Sequence, residues 1–115
     1  MGFGFSKDKR ITESFEISKL FREGECFSCY GARLFLRSNG LEFNRVVFTL
    51  SRKYGTAVER NRSKRLSREC YRLIQNDLNQ GFDFSLLVYP GNDTFLHRKN
   101  QIESLFSKAG ILIKN

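Results

Sequence analysis

The stretch Arg52–Arg72 reads RKYGTAVERNRSKRLSRECYR, and the rest of the chain is best read outward from it. Eight of its positions are basic and only Glu59 and Glu69 are acidic, so it carries most of the net charge of +8. Arg60, Lys64, Arg68 and Arg72 recur every four residues, which on a helix makes one stripe, with Asn61 and Arg65 beside it. Like charges four apart cost a helix a few tenths of a kcal/mol each. A face that accepts three such pairs in succession calls for a polyanionic partner, and nucleic acid is the obvious class.

The helix carrying the stripe has readable ends. Thr56 and Glu59 form a capping box, in which the hydroxyl takes an orphan backbone N–H and the carboxylate reaches back to the cap. Gly81 is a stop signal. A helix over 57–79 would be about 34 Å long. Leu66, Cys70, Leu73 and Ile74 make its expected buried stripe, with Asp77 on the same side.

Before the helix, Arg45–Ser51 alternates as a strand, with Val46, Phe48 and Leu50 on one face and Val47, Thr49 and Ser51 on the other. Residues 25–38 read as extended, with Gly31 a break between two pieces, and Asn39-Gly40 is a turn signal. A first helix is expected from about Glu13 to Arg22, capped by Thr12 and stopped at Gly24, with Ile17 and Phe21 on one face. Residues 1–10 read as a flexible basic arm. After the helix, Phe82–Tyr89 is a strand and Pro90-Gly91-Asn92-Asp93 a turn. A last helix over Leu96–Ala109 turns Ile102, Leu105, Phe106 and Ala109 to the core and stops at Gly110. The order predicts a single α+β domain over 11–115, with three helices on about four strands of one mixed sheet.

Composition narrows the function. At 115 residues the chain is one domain. No run of about 18 apolar residues is present, and the N-terminus has no secretory apolar core, so the expected location is the cytoplasm and no membrane contact is expected. Gly2 loosely fits a myristoylation pattern, which a short N-terminal arm explains as well. Three cysteines, an odd number, suit a reducing compartment. Cys26-x-x-Cys29 lies in an extended segment where residues three apart face opposite ways, so small apolar fillers are expected rather than a metal or redox site. A protein-only nuclease would need clustered carboxylates for two metal ions. The twelve acids are scattered, and His97 is the sole histidine. No helix-turn-helix pattern flanks the basic helix, which argues against a DNA reader.

The pattern Ser51-Arg52-Lys53-x-Gly55-x-Ala57-Val58-x-Arg60-Asn61-Arg62-x-Lys64-Arg65-x-x-Arg68-Glu69 resembles the signature of the protein subunit of bacterial ribonuclease P. The likeness runs over nearly the whole chain. It implies a fold like the second domain of ribosomal protein S5, with a left-handed β–α–β crossover around the motif helix, an exception to the usual hand. It also implies the partners. A large catalytic RNA, with Mg²⁺ held mainly by that RNA and none required by the protein, removes the 5′ leader of precursor tRNA. No small-molecule substrate is implied. A ribosomal or general RNA-binding protein of the same fold is the alternative.

The resemblance assigns two RNA faces. The catalytic RNA would meet Arg52, Lys53, Arg60, Asn61, Arg62, Lys64, Arg65, Arg68 and Arg72, where guanidinium forks grip phosphate oxygens in pairs. The helix N-terminus at Thr56 would add backbone donors. The single-stranded leader would lie in a cleft of Ile17, Phe21, Arg33, Phe35 and Thr49, where aromatic rings accept stacked bases of any sequence. The family usually has Asn where Thr56 stands, and both cap helices. It often has Phe where Ile17 stands, with Phe15 two residues earlier here.

Overall fold

The computed structural model describes residues 10–91 and 93–113. Chain order is α1 (Ser14–Glu23), β1 (Glu25–Cys29), β2 (Ala32–Ser38), β3 (Arg45–Leu50), α2 (Ala57–Ile74), β4 (Phe82–Val88) and α3 (Phe95–Ala109). The strands form one sheet in the order β1-β2-β4-β3. β1 with β2 and β2 with β4 are antiparallel, while β3 and β4 are parallel and joined through α2. The expected three helices and four-stranded mixed sheet are present in a single domain.

Strand alternation sorts the two faces of this sheet. Leu34, Leu36, Val46, Phe84, Leu86 and Val88 point to one side, where α2 and α3 close the core with Cys70, Tyr71, Ile74, Ile102, Leu105 and Phe106. α1 packs on the opposite side, against β2 and β4, and buries Leu20. Gly31 takes φ +84° in the tight turn between β1 and β2, where Cys29 and Ala32 are paired. A Cβ there would also meet the Gln101 side chain at 2.9 Å, so the site suits glycine alone.

Several boundaries differ from expectation. The capping box at Thr56 and Glu59 forms as the sequence predicts. The far end of α2 does not reach Asn79, because the chain tightens to a 3₁₀ turn over Gln75–Asp77. Leu78 then enters the core and bridges Leu112, while the Asn79 N–H donates to the Ile111 carbonyl at 2.8 Å. Burial of Leu78 requires an extended backbone, and that ends the helix. Leu73, expected in the core, is 59% exposed. The buried face of α2 is instead Ser63, Ser67, Cys70, Tyr71 and Ile74, with Leu66 half-buried. At α1 the cap is Glu13, not Thr12, and it makes no side-chain cap bond. β3 ends at Leu50 and β4 at Val88, one residue short of each expected end. Cys70 is a buried filler, Cys29 is half-buried, and Cys26 is exposed, so the filler reading fails for Cys26. Residues 1–9 of the predicted arm and Asn92 of the predicted turn lie outside the described residues. Arg10 bridges Val46, and the Ile11 N–H donates to the Val46 carbonyl at 3.2 Å along the outer edge of β3.

Candidate nucleic-acid interface

The basic helix is held so that its cations stand clear of carboxylates. Among the described residues, Arg52, Lys53, Arg60, Arg62, Lys64, Arg65, Arg68 and Arg72 make no ion pair. They are not equivalent. Arg60 folds back, and its Nη1 donates to the Ser51 carbonyl at 3.1 Å and to that of Arg52 at 3.5 Å. It therefore pins the turn after β3 to the first turns of α2. Arg68 sets its guanidinium 6.0 Å from the centre of the Phe48 ring. Asn61, Arg62, Arg65 and Arg72 are exposed, as are Arg52 and Lys53 in the turn, while Lys64 is half-buried. The most open part of the helix is thus one residue round from the predicted stripe. There Val58, Asn61, Arg62 and Arg65 line a shallow hollow.

The N-terminus of α2 is partly closed by its own cap. The Thr56 N–H donates to Glu59 Oε1 at 2.9 Å, and the Glu59 N–H donates to Thr56 Oγ1 at 3.2 Å. The Glu59 carboxylate occupies the space a Cβ on Gly55 would need. The expected anion site at this end therefore has two of its donors already taken and a negative charge in front of it.

The second expected cluster is brought together on the α1 side of the sheet. Pairing registers align three cross-strand rows there: Arg37–Asp83–Arg45, Cys26–Phe35–Ser85–Val47, and Ser28–Arg33–Leu87–Thr49. α1 is fixed over the first row by ions. Arg45 Nη2 lies 2.7 Å from Asp83 Oδ2 and 3.2 Å from Glu16 Oε2, and Arg37 lies 3.5 Å from Glu23. These partners, led by the Asp83 hydrogen bond, raise the Arg45 pKa and keep it charged. In the middle row Ser85 is buried and Phe35 and Val47 are half-buried, while the outer row is more open, with Ser28 and Arg33 exposed.

Phe21 from α1 and Phe35 from the middle row meet edge to face at 4.6 Å between ring centres. Ile17 is half-buried one helical turn before Phe21. Arg33 is exposed in the outer row, and its guanidinium lies 5.8 Å from the centre of the Tyr89 ring. Thr49 is two strands away from Arg33. Its hydroxyl donates to the Leu86 carbonyl at 3.1 Å and sits 3.3 Å from Ser85 Oγ, so its proton is engaged within the sheet. The expected cleft did not include Cys26, Val47 and Leu87, which share this face, although strand alternation had already set Val47 beside Thr49.

A buried polar cluster links the two helices behind the basic face, and it too was missed. Arg98 on α3 is 1% exposed. Its Nη1 donates to the Ser63 carbonyl at 3.1 Å and to Ser67 Oγ at 2.7 Å, and its Nε donates to Gln101 Oε1 at 3.1 Å. Its Nη2 donates to Asp93, which also accepts from the Tyr54 hydroxyl. Ser63 in turn donates to that hydroxyl at 2.9 Å. The signal in the sequence was Ser63 and Ser67 in helical register with Cys70, Tyr71 and Ile74, a small polar groove awaiting a large polar side chain.

Among the described residues, no three His, Cys, Asp or Glu side chains converge to hold a metal ion.

Residues 5–110 match the ribonuclease P family. The ribonuclease P protein component of Natranaerobius thermophilus is 36% identical over 107 residues, covering 91% of this chain and 93% of that protein. The chain belongs to the ribonuclease P protein family. The component from Clostridium acetobutylicum is 32% identical over 93% of both chains. The family fold is also evident in solved structures. The ribonuclease P protein of Staphylococcus aureus superposes with a TM-score of 0.81, at 20% identity and covering 90% of this chain and 97% of that one. That of Thermotoga maritima superposes with a TM-score of 0.78, at 23% identity and covering 86% and 96%.

Proposed function

We propose that this ribonuclease P protein binds the ribonuclease P RNA through the α2 face and the 5′ leader of precursor tRNA through the sheet rows beside α1, with hydrolysis carried out by the RNA. The observation that carries the proposal is the set of cations on α2 and its preceding turn that have no carboxylate partner among the described residues. Their mutual repulsion is relieved when phosphates enter between them, and each arginine fork can bind two phosphate oxygens. Arg60 and Arg68 act from behind, one by fixing the turn and the other by lying on Phe48. The leader face works by another chemistry. The Phe21 and Phe35 rings offer apolar surface to bases, and Arg33 offers charge to the backbone, so a strand of varied sequence is held without base-edge readout.

In this reading the protein contributes binding and placement. Mg²⁺ would be held mainly by RNA phosphates, consistent with the scattered acids of the chain. The site of action would be the cytoplasm. Among the described residues, no helix is long and apolar enough to cross a membrane.

Reconstitution tests the proposal. Purified protein with Mg²⁺ is expected to leave precursor tRNA intact, and to raise cleavage by a bacterial ribonuclease P RNA at low Mg²⁺. Cleavage by protein alone would assign the chemistry to the protein. No effect on the ribozyme, together with tight binding to ribosomal RNA, would make it a general RNA-binding protein.

A further inference from the structure

At the end of the sheet where β3 and β4 finish there is a cavity of about 480 Å³ that belongs to neither RNA face. Small-molecule sites range over about 300–1,000 Å³, so a nucleoside-sized group fits. Tyr30 and Gly31 of the β1–β2 turn, Tyr89 and Gly91 after β4, and His97 and Gln101 of α3 form its walls.

Three observations point to a base as the occupant. The first is a floor that is already built. Gln101 Nε2 donates to the Tyr30 carbonyl at 2.9 Å, and Gln101 Oε1 accepts from the buried Arg98. The tip of the turn is thereby tied to α3, so little ordering is needed on binding. The second is the wall. Tyr30 is 91% exposed, an open aromatic surface beside a cavity. The third is His97, the only histidine of the chain. Its half-buried imidazole makes no hydrogen bond or ion pair with another described residue, and a neutral imidazole offers one donor and one acceptor.

Arg33 of the outer sheet row lies over Tyr89, which lines the cavity. On the other side, Pro90 and Gly91 also line a hollow that includes Arg62 of α2. The cavity walls at Tyr89, Pro90 and Gly91 thus have a cation near each side, Arg33 toward the sheet face and Arg62 toward the basic helix.

We infer that this cavity receives one unstacked nucleobase of a single-stranded RNA, its ring against Tyr30 and its edge on His97. The inference rests on the RNA-binding reading above, and it adds a subsite that joins the two faces.

The test uses the full chain and a fluorescein-labelled oligoadenylate, with affinity read by fluorescence anisotropy over a range of salt. Tyr30→Ala and His97→Ala are each expected to weaken binding about five- to tenfold, the loss of one stacked and bonded base, without changing the salt slope. Gly91→Leu should do the same by narrowing the cavity that Gly91 lines, at a position where a Cβ meets nothing within 4 Å. Parent affinity in His97→Ala and Gly91→Leu, with a loss in Phe35→Ala, overturns the subsite and leaves the two faces standing. Parent affinity in all of these and in Arg65→Ala overturns both.

Discussion

Arg98 donates to the backbone carbonyl of Ser63 at 3.1 Å, so a cation on α3 is bound to the middle of the helix that carries the candidate RNA face. The bond is possible because position 63 is a serine. A larger residue would close the groove that the guanidinium enters. Through Asp93 the same guanidinium reaches the Tyr54 hydroxyl, in the turn that holds Arg52 and Lys53. The buried cluster thus fixes the cations of the turn relative to those of the helix.

Arg98→Met is expected to destabilise the fold by about 3 kcal/mol, since it removes one partner of a buried ion pair and leaves the hydroxyls of Ser63 and Ser67 short of a donor. Urea unfolding measures this. The double substitution Arg98→Met with Asp93→Asn should cost less than the sum of the two single changes, because the charge left behind is then removed.

The two faces should separate by ligand. Arg65→Ala is expected to weaken binding to ribonuclease P RNA about tenfold and to affect precursor and mature tRNA alike. Phe35→Ala should leave RNA-subunit binding within about twofold and lower the preference for precursor over mature tRNA about tenfold, as expected for lost base stacking. Filter binding with both tRNA forms measures it. Equal effects of both variants on both ligands would dissolve the separation.

Salt reads the number of phosphates engaged. Among the described residues, Arg52, Lys53, Arg62, Lys64, Arg65 and Arg72 are neither ion-paired nor laid on a protein carbonyl or ring. If about six phosphates are neutralised, log affinity against log salt should slope near −5, and a slope near zero would remove the basic helix as the contact.

Thiol chemistry and alkaline pH report on the core. Burial pushes the Cys70 thiol up to about 11, and it also raises Tyr71. Tyr54 is raised by burial and then by its bond to Asp93. Each group holds its proton more tightly folded than unfolded. The stabilisation is therefore complete below the unfolded thiol value of about 8.5, and is lost as pH climbs toward about 11. Unfolding free energy should fall over that window, less steeply in Cys70→Ala. At neutral pH a thiol reagent should label Cys26 first and reach Cys70 only on unfolding.

The sequence made some elements plain and hid others for identifiable reasons. Thr56 and Glu59 announced the start of α2, because a capping box is a local contract between neighbours. Its end was misread at Gly81, because Leu78 leaves the helix for a partner, Leu112, 34 residues later. Leu73 was assigned to the core on hydrophobicity, while Ser63 and Ser67 occupy the buried face because Arg98 supplies bonds that no helical pattern reveals. Of the candidate site, the charge on α2 was legible, and the meeting of Phe21 with Phe35 followed from the family likeness rather than from spacing. That Arg60 and Arg68 turn back on the protein, and that the Thr49 hydroxyl is engaged, depend on neighbours distant in sequence.

The strap that Arg10 and Ile11 lay along β3 has a consequence for solubility. A bare rim of amides and carbonyls invites another molecule to zip onto it, and here Val46 already has its partner. Trimming the chain past Ile11 would uncover that rim and open a path to clumping, at no cost to either candidate RNA face.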